Sequence, residues 1–156
     1  MLLRVIAVGT RMPDWVDTAV ADYTQRFPPE MKPEWREVRA EPRSRSADTG
    51  RWLAREAERI RAALPEGAHI VVLDERGTDL STVSLARALE RWRDQARPVA
   101  IVIGGPDGID QSLKASAHET IRLSSLTLAH AMVRVLLAEQ LFRAWSIISG
   151  HPYHRA

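Results

Sequence analysis

Val99-Ala100-Ile101-Val102-Ile103-Gly104-Gly105-Pro106-Asp107-Gly108 is an unbroken apolar run that ends in three glycines and a proline within five positions. It reads as a strand running straight into a tight loop: glycine permits φ > 0 and close backbone approach, and proline stiffens the turn. Outward from this stretch, apolar runs alternate with amphipathic ones, each pair taking roughly 30 residues, which is the rhythm of an α/β domain on a mainly parallel sheet. The other strand candidates are Leu2 to Val8, Trp35 to Ala40, His69 to Leu73 and Thr120 to Leu123. A first helix is expected from Asp14 to Phe27, closed by Pro28-Pro29, which cannot continue it. Leu53, Ala57, Ile60 and Leu64 recur at helical spacing, as do Leu85, Leu89 and Trp92. A short helix follows Asp110, and a long one runs from about His130 to Ile148.

With 156 residues, 45% of them hydrophobic and 27% charged, the chain has the size and composition of one globular domain, not of a disordered or fibrous chain. No apolar run reaches the ~18 residues of a membrane span, and the opening MLLRVIAVGT lacks the features of a secretory signal, so a cytoplasmic protein is expected. Zero cysteines exclude disulfides, a thiolate nucleophile and Cys-ligated metal. The formal charge is only +2, yet all but Lys32 and Lys114 of the 22 basic residues are arginine, the side chain better suited to planar contacts with phosphate. Glu41-Pro42-Arg43-Ser44-Arg45-Ser46 reads as an exposed basic loop.

On a wheel of the last helix, Glu139, Gln140, Arg143 and Ser146 share one narrow arc and apolar side chains fill most of the rest. Arg134 falls on a stripe with Ala138, Leu141 and Trp145, which sets a charge on an apolar face where it needs a partner. The apolar surplus suits either a subunit interface, with Leu141 in it, or a central core helix.

Ligands of open α/β sheets bind beyond the carboxyl ends of the strands. The first strand ends Val8-Gly9-Thr10-Arg11-Met12-Pro13, which lacks the G-x-G-x-x-G of a dinucleotide site. Three later strand ends carry small, glycine-rich or hydroxyl-bearing residues: Leu73 to Gly77, Gly104 to Gly108, and Leu123-Ser124-Ser125-Leu126-Thr127-Leu128. Such loops offer backbone groups to an adenine or ribose edge, with Leu73, Leu126 and Leu128 enclosing the ring. The glycine loop holds no Lys or Arg, which argues against a phosphate ligand. The tail His151-Pro152-Tyr153-His154-Arg155-Ala156 gathers two imidazoles, a phenol and a guanidinium after Gly150. No carboxylate lies near in sequence, so no metal is expected. His69 and His118 read as solvated or structural, and His130 as opening the last helix.

Ile103 to Gly108, Leu123 to His130, Val133 to Ile147 and His151 to Arg155 together resemble the ribosomal RNA large subunit methyltransferase H family. So do Val8-Gly9-Thr10, Met12-Pro13-Asp14-Trp15 and Arg26-Phe27-Pro28, so that the likeness covers essentially the whole chain. The resemblance implies a single-domain SPOUT α/β fold over residues 1–156 whose C-terminal segment makes a deep trefoil knot, a homodimer, and a functional tail at 149–156. It implies methyl transfer from S-adenosylmethionine to N3 of a pseudouridine in 23S rRNA within the assembled ribosome. Family cofactor positions fall on Leu73, Gly104 and the run Leu123, Ser124, Ser125, Leu126, Thr127 and Leu128. Within the implied tail, His154 is the preferred base or proton relay, Tyr153 a stacking platform or alternative base, and Arg155 a neutraliser of phosphate or oxyanion. The sequence departs from the family pattern at Ala129 and Ala131, where proline is common, at Gly150, where asparagine is common, and at Ala156, where an acid is common. These changes are expected to loosen the start of the last helix and the tail hinge. Two other classes fit the bare residues: an RNA-binding module without the cofactor, and a nucleotide-handling enzyme using the Gly104 to Gly108 loop.

Overall fold

The computed structural model describes residues 1–43 and 48–155. Five parallel strands, β1 (Leu3–Val8), β2 (Glu34–Val38), β3 (His69–Asp79), β4 (Val99–Ile103) and β5 (Glu119–Arg122), form one sheet in the order β2-β1-β4-β3-β5. The helices are α1 (Asp14–Thr24), α2 (Thr49–Ala63), α3 (Thr82–Asp94), α4 (Gln111–Ser116) and α5 (His130–Ser149), with a 3-10 turn at Pro29–Met31. Every residue of β4 is buried, as befits a central strand of a sheet covered on both faces. Its side chains alternate between two cores. Val99, Ile101 and Ile103 join Leu85, Leu89, Trp92, Leu137, Leu141 and Phe142 beneath α3 and α5. Ala100 and Val102 join Ala57, Ile60 and Leu113 beneath α2 and α4.

Register levels the working edge of the sheet. Leu3 and His69 both lie opposite Val99, and Ala7 and Leu73 both lie opposite Ile103. The carboxyl ends of β1, β4 and the first part of β3 are therefore flush, and the loops that leave them share one rim.

Several boundaries differ from the sequence reading. The first helix stops at Thr24, and Gln25 to Phe27 close it with bonds back to Ala21, Tyr23 and Thr24. The second strand ends at Val38, whose carbonyl accepts the Gly9 N–H at 2.8 Å. The third strand is longer than expected. Leu73 lies opposite Ile121, the chain bulges, and Thr78 meets Ile121 again, so β3 passes the same residue of β5 twice. Gly77 makes the second pass possible: a Cβ there would sit 2.5 Å from the Ile121 carbonyl carbon.

The last helix resolves the alternatives left by its wheel. Leu141 is fully buried inside the monomer, so it is a core residue and not an interface residue. Arg134 is 3% exposed and has the partner its position demanded, a salt bridge to Glu37 on β2. The polar arc is enclosed as well: Gln140 accepts from the Thr82 hydroxyl at the start of α3, and Ser146 is buried. α5 begins at His130 despite Ala129 and Ala131, and it ends on Gly150 with φ 74°, a left-handed stop that glycine or asparagine adopts readily.

Candidate active site

A cleft of about 500 Å³ opens at the flush carboxyl rim, between the end of β3, the loop after β4, the loop after β5 and the first turn of α5. That volume falls in the range of small-molecule sites. Of the residues expected at a cofactor, Leu73, Gly104, Leu123, Ser124, Leu126, Thr127 and Leu128 line it. Ser125 belongs to the same loop but is exposed and lies outside the lining. Leu126 is 74% exposed, a large apolar side chain at the mouth with nothing against it. The Ser124 hydroxyl accepts the Leu126 N–H at 2.9 Å, which shapes this loop locally.

Charged groups that sequence reasoning had not singled out also line the cleft, among them Asp74, Arg76, Lys114 and Arg122. Asp74 receives Lys114 Nζ at 2.6 Å and the Arg76 N–H at 2.9 Å. Burial works to raise its pKa, but these bonds and the neighbouring cations hold the carboxyl below the usual range. The cleft is thus polar at its β3 and α4 side and apolar along the Leu123 to Leu128 side.

The loop after β4 is built by its own glycines. Gly108 N–H bonds back to the Gly105 carbonyl at 3.0 Å, with Pro106 and Asp107 at the two central positions of the turn and Gly108 at φ 88°. A Cβ on Gly104 would lie 2.5 Å from Ile109 Cγ1 and 2.7 Å from the Gly108 carbonyl oxygen. The loop returns across Gly104 so closely that glycine is required there by the loop itself.

This loop is gripped from outside. Asp107 Oδ2 accepts from both Nε and Nη2 of Arg43 at 2.9 Å, and Arg43 Nη1 donates to Glu56 Oε2 at 3.0 Å. Glu56 is 2% exposed, and the same oxygen accepts the Glu41 N–H. Glu41 is itself buried and held by Arg55 and Arg59 at 2.8 and 2.6 Å, which lower its pKa. The stretch read as an exposed basic loop is therefore, at Glu41 and Arg43, an ion-paired strut under the glycine loop; Ser44, Arg45 and Ser46 lie outside the described residues. Charge pattern alone does not distinguish a solvated run from a paired one.

His130 does more than open α5. Its ring lines the cleft, and its Nε2 accepts from Arg134 Nε at 3.1 Å. Burial and the Arg134 charge depress its pKa, while the Gly104 backbone works the other way. A neutral imidazole accepting at Nε2 carries its proton on Nδ1, the nitrogen left to donate. The remaining guanidinium donors of Arg134 go to Glu37 at 2.5 Å and to the carbonyls of Val8 and Gly9 at 3.3 and 2.8 Å.

The tail residues sit elsewhere. Tyr153 packs edge-on against Phe142 at 4.8 Å between ring centres and donates its hydroxyl to Glu139 at 3.0 Å. Desolvation, the nearby Tyr23 phenol and Glu139 all push the Tyr153 pKa far above that of a free phenol. His154 Nδ1 lies 3.3 Å from Arg143 Nη1, and Arg155 is exposed. None of the three lines the cleft, which opens at the other end of α5. Their partners Glu139, Phe142 and Arg143 lie about two and a half to three and a half helical turns along from His130. Among the described residues no three His, Asp or Glu side chains come together as a metal site, and no helix is long and apolar enough to cross a membrane.

Comparison with known proteins agrees with this architecture. A family model described as "Predicted SPOUT methyltransferase" matches residues 1–154. Ribosomal RNA large subunit methyltransferase H of Bordetella avium is 58% identical over 156 residues, covering 100% of both chains. The protein of the same name from Variovorax paradoxus is 60% identical over 99% of each chain. Among solved structures, a probable methyltransferase from Bordetella pertussis Tohama I superposes with a TM-score of 0.59 at 20% identity, over 91% of this chain and 93% of that one. A probable methylase family protein from Haemophilus influenzae gives 0.56 at 14% identity, over 99% and 70%; at such identities these two speak for the fold alone. On the full-length match and the relatives' identity, the chain belongs to the SPOUT methyltransferase family, alongside the ribosomal RNA large subunit methyltransferase H proteins.

Proposed function

We propose that this methyltransferase carries a methyl group from S-adenosylmethionine to N3 of a pseudouridine in 23S rRNA of the assembled ribosome, working in the cytoplasm as a homodimer. The observation that carries the reading is the cleft itself: its Leu73, Leu126 and Leu128 walls suit an adenine ring, and its glycine loop, which holds no Lys or Arg and whose Asp107 is turned to Arg43, suits an adenosine edge. Asp74 and Lys114 on the opposite side suit the charged ends of an amino acid. The residues present fit the methyl donor. The name that the full-length relatives share supports ribosomal RNA as the acceptor.

Bound there, S-adenosylmethionine supplies an electrophilic methyl group, so the protein's tasks are alignment and removal of the N3 proton. The struts described above hold the loop after β4: Arg43 from outside, through Asp107, and His130 from the helix side, through the Gly104 backbone. His154 is the base or proton relay of this reading. Tyr153, whose phenol donates to Glu139 and is hard to ionise, suits a stacking platform better than a base. Arg155, exposed, neutralises phosphate or an oxyanion on the base.

The tail folds back along α5 onto Glu139, Phe142 and Arg143, while the cleft lies beside His130, and the nine to thirteen helical residues between them span ~14–20 Å. A two-fold partner with its last helix running antiparallel would bring each tail to the other subunit's cleft, making every site composite. Partly exposed Val135 and Leu136 and the 39% exposed Met132 offer apolar surface on α5 for such a partner. The same reading includes the deep trefoil knot of the C-terminal segment, one functional unit over residues 1–156, and a working tail at 149–156. The test is mass spectrometry of the pseudouridine-containing 23S rRNA fragment from cells with and without the gene. Loss of one methyl on deletion, restored by the gene, is the expected result; an unchanged fragment overturns the reading, and a non-enzymatic RNA-binding role then takes its place.

A further inference from the structure

The charged residues of this fold are committed very unevenly between the two edges of the sheet. At the amino edge Arg4 pairs with Glu34, Arg91 with Glu119 and Arg93 with Glu90, and Arg97 is bonded to the Gly67 and Ala68 carbonyls, which leaves Lys32, just before β2, as an exposed cation there without an ion-pair partner among the described residues. At the carboxyl edge the acids are consumed instead. Glu37 is taken by Arg134, Asp74 by Lys114, Asp107 by Arg43, and Glu41 by Arg55 and Arg59. Arg11, Arg39 and Arg76 stand on that same edge, all exposed, and none has an ion-pair partner among the described residues.

Sheet order makes these three a row. Arg39 follows the last residue of β2, Arg11 lies three residues beyond β1, the glycine loop leaves β4, and Arg76 occupies the bulge of β3. With strands ~4.8 Å apart, β2 to β3 is a span of ~14 Å, and the cleft, lined from the glycine loop after β4 to the loop after β5, opens at the β3 end of it. Among the described residues, acids near this rim without an ion-pair partner include Asp14 and Asp17 in the first turn of α1 and Asp48 and Asp110 at the starts of α2 and α4, where the helix ends favour a carboxylate, and Glu75 beside Arg76.

We propose that Arg11, Arg39 and Arg76 are phosphate contacts of the RNA substrate, which lies along the carboxyl edge of the sheet with Arg39 and Arg11 leading up to the cleft and Arg76 at its wall. Guanidinium groups free of internal partners and aligned beside a cleft are suited to a polyanion, and contacts of this kind position RNA without reading its sequence. The inference deepens the proposed rRNA methylation and rests on it.

The experiment uses the full-length protein with three variants, Arg11→Gln with Arg39→Gln, Arg76→Gln, and Arg93→Gln at the amino edge as control. Affinity for ribosomes and for a short single-stranded RNA is measured against salt concentration, with S-adenosylmethionine affinity by calorimetry beside it. Each lost phosphate contact should lower the slope of log affinity against log salt by ~0.7–0.9. The double variant should therefore lose about twice as much slope as Arg76→Gln, and its KM for ribosomes should rise by tenfold or more. Its kcat and donor affinity should stay within two-fold, and Arg93→Gln should match the wild type. Unchanged slopes in the carboxyl-edge variants, or an equal change in Arg93→Gln, overturn the proposal while methylation by the wild type keeps the function. A wild-type protein that neither binds nor methylates ribosomes overturns the function itself, a distinguishable outcome.

Discussion

The guanidinium of Arg134 donates from Nη2 to the Gly9 carbonyl at 2.8 Å, fastening the first half of the last helix to the end of the first strand. Its other donors reach Glu37, Val8 and His130, so one buried cation joins β1, β2 and the cleft-lining imidazole. Replacing it by an apolar chain leaves Glu37 and the carbonyls without their donor. Glu37, 39% exposed, regains water, so the cost falls mainly on the Val8 and Gly9 carbonyls, and Arg134→Met should cost roughly 1–3 kcal/mol. Arg134→Lys keeps the charge but not the fork and should fall between, as read from urea midpoints.

Gly104→Ala tests the self-packing of the glycine loop. The new methyl meets Ile109 and the Gly108 backbone, so the loop must open. Donor binding should be lost, with a fall in Tm of several degrees. Gly67→Ala, where φ is 70° but nothing lies within 4 Å, carries backbone strain alone and should leave donor affinity unchanged. Equal donor affinity in wild type and Gly104→Ala would refute the assignment of this loop to the cofactor.

Arg43 and Asp107 should respond unequally although they form one pair. Asp107 is 39% exposed in its side chain, and Asp107→Asn should cost no more than ~1 kcal/mol. Arg43→Met strips the guanidinium from the buried Glu56 carboxylate and should cost roughly 3 kcal/mol or more. Both should weaken donor binding, since both release the loop.

His130 predicts an acid-side loss of stability. Its pKa is lowered in the fold by burial and by Arg134, so the folded state favours the neutral ring. The unfolded chain takes up the proton first as pH falls below the ordinary ~6.5. The contribution is therefore complete above that value and is lost as pH falls through the depressed folded value. His118, whose Nδ1 accepts the Ile70 N–H and whose pKa is also lowered by desolvation and by His69 and Arg97, acts in the same direction. In urea titrations between pH 8 and pH 5, His130→Gln should show a shallower acid decline than the wild type. An identical decline would remove His130 as its source.

Deleting Tyr153 to Ala156 should leave S-adenosylmethionine affinity within a few-fold while ribosome methylation collapses. A mixed dimer, one subunit Gly104→Val and the other lacking the tail, sharpens the point. If sites are composite, one site carries both lesions and the other neither, and about half of the activity survives. An inactive mixed dimer means that each subunit works alone.

What could be read in advance followed the range of the forces involved. β4 was legible because its apolar run and its glycine turn are both local, and its bounds at Val99 and Ile103 match the structure. The far part of β3 was not: Glu75-Arg76-Gly77-Thr78 has no apolar alternation, and its pairing depends on Ile121, a distant residue. Gly77 was the available signal, since an isolated glycine in such a place marks close backbone approach. The wheel of α5 found that Arg134 needs a partner but could not name Glu37 or Gly9, which lie 97 and 125 positions away. Leu141 could not be assigned to core or interface from periodicity, because both environments present the same apolar face to the helix. The three strand-end loops were found by topology, whereas the paired state of Glu41 and Arg43 depends on α2 and on Asp107, which no local pattern reveals.

Because Leu137, Leu141 and Phe142 complete the core beneath α3, that core has no lid until α5 has been synthesised. At ~5–20 residues per second, the roughly fifty residues from Trp92 to Phe142 take ~3–10 s to emerge, and throughout that interval the inner faces of α1 and α3 lack the helix that covers them. A stop codon inside α5 consequently does not shorten a finished protein. It yields a nascent chain with half of its interior turned to water, the form most exposed to proteases and to aggregation.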